Sequence, residues 1–302
     1  MMKRNKQIKD IAASVRARLL NIAKGAGRNF DAVLLQYFQE RFLYRLSISP
    51  YKKQFVLKGA LAFLTDSMSR FRPTKDIDLA GRINASNLNK IMCDIFTIPC
   101  EDGVQFSVDQ IAIEDINVEN EYHGFRIKVP VRLGVARKKL QIDIGIGDIV
   151  YPKPVIREFP GLLDLPAPKI FIYPKETIIA EKFEAIIRFN RLTSRMKDFY
   201  DIIFLAQSNN FHSEVLRTAI MRTFNYRKTS LKTRDTIFQP SFKEDKLKQD
   251  QWKSFLKRNN IDFDENFSEV VQLLEEFIDP MLSDTEITIN KNWQPQSWRW
   301  RE

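Results

Sequence analysis

Two aspartates separated by one residue, Asp76 and Asp78, combine type and spacing in a way that suggests chemistry. In an extended strand side chains alternate faces, so both carboxylates point one way while Ile77 and Leu79 point into a core. Carboxylates one pleat apart repel each other. A divalent cation removes that repulsion, and hard oxygen donors suit Mg²⁺. Upstream, the apolar run Phe55-Val56-Leu57 ends in Lys58-Gly59-Ala60. Gly59 lets the backbone come close to a ligand, and a helix N-terminus at that turn favours a phosphate. A phosphate cradle followed by a metal-binding carboxylate pair suits phosphoryl or nucleotidyl transfer. The alternative is a surface strand with two solvated aspartates.

The elements that must hold these groups are legible nearby. Apolar residues recur at Leu61, Phe63, Leu64 and Met68, and Pro73 ends any helix before it. Residues 55–80 therefore read as strand, turn, helix, loop, strand. Alternation returns in Lys139–Ile144, where Asp143 shares a face with Gln141 and Gly145 while Leu140, Ile142 and Ile144 face the other way. An acid in the middle of such a strand is costly without a partner. Asp143 is then a third metal-site carboxylate, or it pairs with a nearby arginine or caps a loop. Asp148, after Gly147, reads as a turn residue.

Two further charges stand out. Lys182 has Ile178, Ala185, Ile186 and Phe189 as its helical neighbours, which places it on the buried face of a helix starting near Thr177. A buried ammonium needs an anion. Candidates are a bound phosphate or a salt bridge to Glu181, Glu184 or a core aspartate. Asp198 falls in the first turn of the next helix, where the dipole alone favours it, with Ser194 as the expected N-cap. Asp201, Tyr200, Arg195 and Lys197 surround it as supporting candidates.

The 302 residues are 44% hydrophobic and 28% charged, the composition of a globular protein. No apolar run approaches a membrane span, and the basic N-terminus lacks the apolar core of a signal peptide, so a cytoplasmic location is expected. Cys93 and Cys100 are too few for a disulfide framework or zinc site. Only His123 and His212 are present, which argues against His-ligated metal and Ser-His-Asp chemistry. The net charge is +10, concentrated in two blocks, Met1–Arg28 and Val215–Arg234. Such blocks fit a polyanionic partner such as nucleic acid.

Amphipathic helices are predicted over 8–24 and 30–46, broken at Gly25-Ala26-Gly27 and ended at Ser49-Pro50. Asn84–Phe96 reads as a helix, and period-two runs follow near Phe106–Ile113 and Phe125–Val129. Six prolines between 151 and 174 suggest an extended connector. This divides the chain into N-terminal helices (1–48), a core (49–150), a connector (151–174) and a mainly helical C-terminal domain (175–302). Asp235–Asp250 reads as polar with a mobile loop. The tail residues Trp293, Trp298 and Trp300, set among arginines, either stack on bases or dock on their own domain.

Gly59-Ala60, then fifteen residues, then Asp76-Ile77-Asp78 resembles motif I of nucleotidyltransferase-fold proteins. With Arg72, Thr74 and Leu79 around it, the stretch resembles the AbiE-type (AbiEii) abortive-infection toxins. So do Leu140–Asp148, the run YPKETIIAEKFEAII from Tyr173, and SRMKDFYDI from Ser194. The blocks keep the family's order over about residues 30 to 205.

The resemblance implies an α/β (α+β) nucleotidyltransferase-type mixed sheet with flanking helices, plus a helical C-terminal domain that completes the active site. It implies a Mg²⁺-dependent nucleotidyltransferase with an NTP substrate. Asp76, Asp78 and Asp143 would hold two Mg²⁺ ions, with Lys182 on the phosphates and Asp198 beside it as further catalytic residues. Lys58, Gly59, Ala60, Arg72, Thr74 and Lys182 would bind the nucleotide. Ala60 departs from the Ser or Gly of many relatives, which removes a hydroxyl contact and leaves the backbone N–H. The implied acceptor is RNA, foremost the tRNA 3′ end, with growth arrest, phage defence and a cognate antitoxin. Nucleotidylation of a protein hydroxyl and a degenerate, non-catalytic nucleotide- or RNA-binding core are the competing readings.

Overall fold

The alternating segments found in the sequence pair into one sheet. A computed structural model describes residues 10–66, 74–118, 122–283 and 290–302. The chain divides into two compact units, one of 1–148 with 155–172 and one of 149–154 with 173–302.

In the first unit, helices α1 (Ile11–Gly25) and α2 (Phe30–Ile48) precede strand β1 (Phe55–Lys58). One α turn, α3 (Gly59–Ala62), follows and continues as 3₁₀ helix to Asp66. The expected helix to Met68, Pro73 and Arg72 run into residues 67–73, outside the described residues. Next come β2 (Asp76–Gly81), α4 (Leu88–Phe96), β3 (Val104–Phe106), β4 (Ala112–Val118), β5 (Tyr122–Leu133) and β6 (Ala136–Ile146). Strands β7 (Val155–Glu158) and β8 (Lys169–Ile172) complete the sheet, whose order is β3-β5-β6-β2-β1-β8-β7, with β4 also on β5.

The sheet is mixed. β2 runs parallel to β6 and β1 parallel to β8, while β1–β2, β5–β6 and β7–β8 are antiparallel. The proline-rich stretch expected as a connector is extended, and its two strands belong to this sheet. β8 pairs with β1 and with β7, and the prolines of the stretch lie outside the paired segments, where their missing N–H costs the ladder nothing.

Alternation sorts the two faces. Ile77, Leu79, Ile127, Val129, Val131, Leu140, Ile142 and Ile144 are buried on one side. Helix α2 packs against β6 and β8 through residues such as Val33, Leu34, Phe38 and Phe42, flanked by α1 and α4. Its buried charges are paired: Arg45 forks onto Asp102 at 2.7 and 3.1 Å, Arg41 pairs with Glu40 at 2.9 Å, and Glu40 accepts from the Leu162 amide. The opposite face carries the polar residues described below.

The second unit is helical: α5 (Lys175–Phe189), α6 (Met196–Ser208), α7 (Ser213–Tyr226), α8 (Asp235–Phe238), α9 (Pro240–Lys243), α10 (Lys246–Asn259) and α11 (Phe267–Leu282), closed by the hairpin β9 (Asn292–Gln294) and β10 (Arg299–Arg301). Asp235–Asp250, expected to include a loop, is largely helical. Phe238 and Phe242 are buried there, and that apolar burial is what orders it. The tryptophan tail docks on its own unit. Trp293 is fully buried and donates to the Ala206 carbonyl, and Trp300 stacks on Phe277. The architecture is thus the expected mixed α/β sheet with flanking helices and a helical C-terminal region.

Candidate active site

Strand register builds the first cluster. Lys58 lies opposite Asp78, Asp78 opposite Asp143, and Asp143 opposite Arg126. Opposed residues in neighbouring strands share a face, so one row across β1, β2, β6 and β5 reads Lys58, Asp78, Asp143, Arg126. Asp76 lies one pleat away, opposite Gln141. The third aspartate is therefore on the same side of the sheet as the Asp pair, although 65 residues separate Asp78 from Asp143.

Gly59 sits at φ +66°, and a Cβ there would lie 2.1 Å from Asp78 Oδ2. The turn thus needs glycine twice over, for its left-handed backbone and for the carboxylate packed on its Cα. Ala60 is buried. Thr74 is half-buried, with its hydroxyl 3.4 Å from the Asp76 carbonyl. Lys58, expected at the nucleotide, donates to Asp148 Oδ2 at 2.6 Å. Asp148 is therefore more than the turn residue the sequence suggested: its side chain is 7% exposed and lies over Gly145, which gives it space by lacking a Cβ.

Arg126 is the residue that sequence reasoning missed. Its Nε and Nη2 donate to Asp143 Oδ1 and Oδ2 at 2.9 and 2.7 Å, and Gln141 adds a contact at 3.3 Å. The hydrogen bond to Asp143 holds the Arg126 guanidinium above its ordinary value. The arginine partner for Asp143 was foreseen as a type of contact. Its position was not, because it depends on the β5–β6 register.

The donor chemistry decides how a divalent ion fits. Asp76 and Asp78 offer acceptor-only oxygens on one face, which suits one hard cation. Asp143 has both oxygens engaged by a bidentate guanidinium. Among the described residues no group of three or more His, Cys, Asp or Glu is gathered to hold a metal. The donor chemistry of the pair fits an ion, whereas at Asp143 the guanidinium occupies both oxygens.

The second cluster forms in the helical unit. Asp198 and Asp201 are three apart on α6, so they share a helical face. That face meets Lys182 of α5, whose Nζ is 2.8 Å from Asp198 Oδ1 and 2.5 Å from Asp201 Oδ2. Both carboxylates are essentially buried and the lysine side chain is 13% exposed. Arg195, three residues before Asp198, donates from Nε to Asp198 Oδ2. Two cations thus face two anions. Burial disfavours the charged lysine, but Asp198 and Asp201 outweigh it and the Lys182 pKa is raised. Burial likewise pushes Asp198 up, but Lys182 and Arg195 outweigh it and hold the carboxyl at about 2. The core-aspartate partner is the one present. Asp201, a supporting candidate in the sequence, is a direct partner of Lys182.

Helix α6 begins at Met196 with Arg195 at its cap, so Ser194 is not the N-cap. The preceding loop is tied down from outside, since the buried Lys248 ammonium donates to the Thr193 carbonyl. In the second basic block, Arg227 pairs with Glu184 and Arg234 with Asp279, so part of that charge is structural.

The model of the family described as nucleotidyl transferase AbiEii toxin, Type IV TA system, matches residues 41–273. No curated protein matches the chain. Among solved structures, JHP933 from Helicobacter pylori is 14% identical, covering 84% of this chain and 96% of its own, with a TM-score of 0.44. A second H. pylori protein, described as a candidate nucleotidyltransferase, is 15% identical, covering 85% of this chain and 100% of its own, with a TM-score of 0.44. No helix among the described residues is long and apolar enough to cross a membrane.

Proposed function

Because the chain belongs to the AbiEii family of nucleotidyl transferase toxins of type IV toxin–antitoxin systems, we propose that this nucleotidyltransferase moves a nucleotide from an NTP onto an RNA acceptor, the tRNA 3′ end, and so arrests growth. The observation that carries the reading is the strand face on which Lys58 lies opposite Asp78, with Gly59 packed against Asp78 and Asp76 one pleat away. A cognate antitoxin and a phage-defence role follow from the family.

In this reading Asp76 and Asp78 hold Mg²⁺, which when bound neutralises charge on the triphosphate. Gly59 keeps the backbone low enough for Asp78 to stand over it, and the Gly59 and Ala60 amides serve the phosphates. Lys58 offsets phosphate charge and is oriented by Asp148. Arg126 neutralises Asp143 in the absence of ligand. A second divalent ion at Asp143 requires that guanidinium to turn away. Lys182 takes the phosphate-binding role of the family, with Asp198 and Asp201 keeping its ammonium charged. Arg72 and Thr74 complete the nucleotide set.

The test is transfer of label from each of four α-labelled nucleoside triphosphates, with Mg²⁺ and total tRNA, by wild type and Asp76→Ala. Label on RNA from wild type alone supports the reading and names the nucleotide. Label on protein instead moves the acceptor to a protein hydroxyl. Transfer nowhere leaves a nucleotide- or RNA-binding core.

A further inference from the structure

The face that carries Asp76, Asp78 and Asp143 does not end at the carboxylates. On β6 the residues of the same parity run back from Asp143 through Gln141 to Lys139 and Arg137. Their partners on β5 are Arg126, Lys128, Pro130 and Arg132 in turn. Five cations therefore lie on one sheet face beside the Asp pair. The alternate residues, Leu140 and Ile142 on β6 and Val129, Val131 and Leu133 on β5, are buried on the other face.

Each pleat repeat advances about 6.6 Å, so Arg137 lies about 20 Å along the strand from Asp143. Two of the five cations have acidic partners: Arg126 holds Asp143, and Lys128 meets Glu114 at 2.7 Å. Arg132, Arg137 and Lys139 are exposed, and no carboxylate among the described residues stands within ion-pair distance of them. Arg132 and Arg137 are directly opposed. Like charges in that position repel and weaken the strand pair. The arrangement costs stability in the isolated chain, and a polyanion laid across the hairpin removes that cost.

We propose that this face of β5 and β6 is the track for the phosphate backbone of the acceptor RNA. Its single-stranded end runs over Arg132, Arg137 and Lys139 toward Lys128 and Arg126, and its terminus reaches Asp76 and Asp78. The inference rests on the RNA-acceptor reading above and adds to it a binding surface. Neither basic block singled out in the sequence contains it, because the cations are scattered between apolar residues and only the strand period gathers them. A line of cations beside a reaction centre serves a sugar–phosphate chain without reading its bases.

The experiment measures binding of total tRNA to the full chain by fluorescence anisotropy across a salt series. The wild type is compared with Arg132→Gln/Arg137→Gln/Lys139→Gln and with a control of equal charge change on exposed residues of α10, Lys253→Gln/Lys257→Gln/Arg258→Gln. Three lost phosphate contacts lower the slope of log affinity against log salt by about 2. The track variant is expected to show that drop and weaker binding. It should retain Mg²⁺-dependent binding of labelled NTP, and the control should behave as wild type. If track variant and control weaken equally, or if the track variant keeps the wild-type slope, the track is wrong while the RNA reading stands. If wild type binds no tRNA even at low salt, the RNA reading itself fails and the track falls with it. Circular dichroism checks folding; should the triple variant not fold, Arg137→Gln and Lys139→Gln singly are read the same way, each with a slope drop of about 0.7.

Discussion

Replacing Gly59 by alanine tests the geometry of the candidate site with a single methyl group. Two separate costs follow from the structure. The backbone stands at φ +66°, where an L-residue is disfavoured by roughly 1–2 kcal/mol. The new Cβ would also lie 2.1 Å from Asp78 Oδ2, 2.8 Å from its Cγ and 3.0 Å from its Cβ. Rotating the carboxylate clears the first of these contacts and not the last, so the side chain must be displaced, at about 1–3 kcal/mol for overpacking. The sum is about 2–5 kcal/mol for the first unit. The two parts separate in a double-mutant cycle. In an Asp78→Gly background all three contacts are gone and mainly the backbone cost remains, which leaves a coupling of about 1–3 kcal/mol. Urea unfolding of the four proteins measures the coupling, and Mg²⁺-dependent NTP binding reports whether Asp78 has moved from its working position. Gly59→Ala should lose that binding. Additivity within about 0.5 kcal/mol, together with wild-type NTP affinity in Gly59→Ala, would refute the claim that this turn exists to seat Asp78.

Other expectations follow from the same contacts. Lys182→Met strands Asp198 and Asp201 in the core of the second unit and should cost about 3–5 kcal/mol in urea unfolding; a loss below about 1 kcal/mol would show that those carboxylates are served by other groups. Asp198 has its folded pKa depressed from 3.8 to about 2, so it binds fewer protons folded than unfolded. Its contribution is fully present above pH about 4 and is lost as the pH falls through about 2. Lys182, raised above its ordinary 10.5, gives the opposite limb: its contribution is present below that value and fades only as pH rises through the raised one. Asp198→Asn should therefore flatten the acid limb of a stability–pH curve; an unchanged limb would contradict the assignment. Arg126→Gln removes the guanidinium from both oxygens of Asp143, leaving only the longer Gln141 contacts, and should increase the number of Mn²⁺ ions bound with NTP, counted by electron paramagnetic resonance. An unchanged count would mean that the guanidinium does not compete with a cation.

Much of this protein was determined by local pattern. Asp-Ile-Asp in an extended segment places two carboxylates on one face because side chains alternate, and Ile77 and Leu79 are buried as that requires. The same alternation put Asp143 on a polar face, and helical spacing put Lys182 among apolar neighbours on α5. These are properties of a few consecutive residues, and they survive folding because the core on the other face depends on them. Tertiary structure decided which charges meet. Asp143 faces Arg126, Lys58 faces Asp148, and Lys182 faces Asp201 as well as Asp198. Ser194 lost its expected capping role, and the prolines of 151–174 flank two strands of the sheet. No local signature specifies such pairings, because register between strands and the packing of one helix on another are settled by the fit of whole faces. The cationic line along β5 and β6 shows the difference most directly. Each of its residues is an ordinary surface cation in the sequence, and the hairpin register alone sets them side by side on the face that carries Asp76, Asp78 and Asp143.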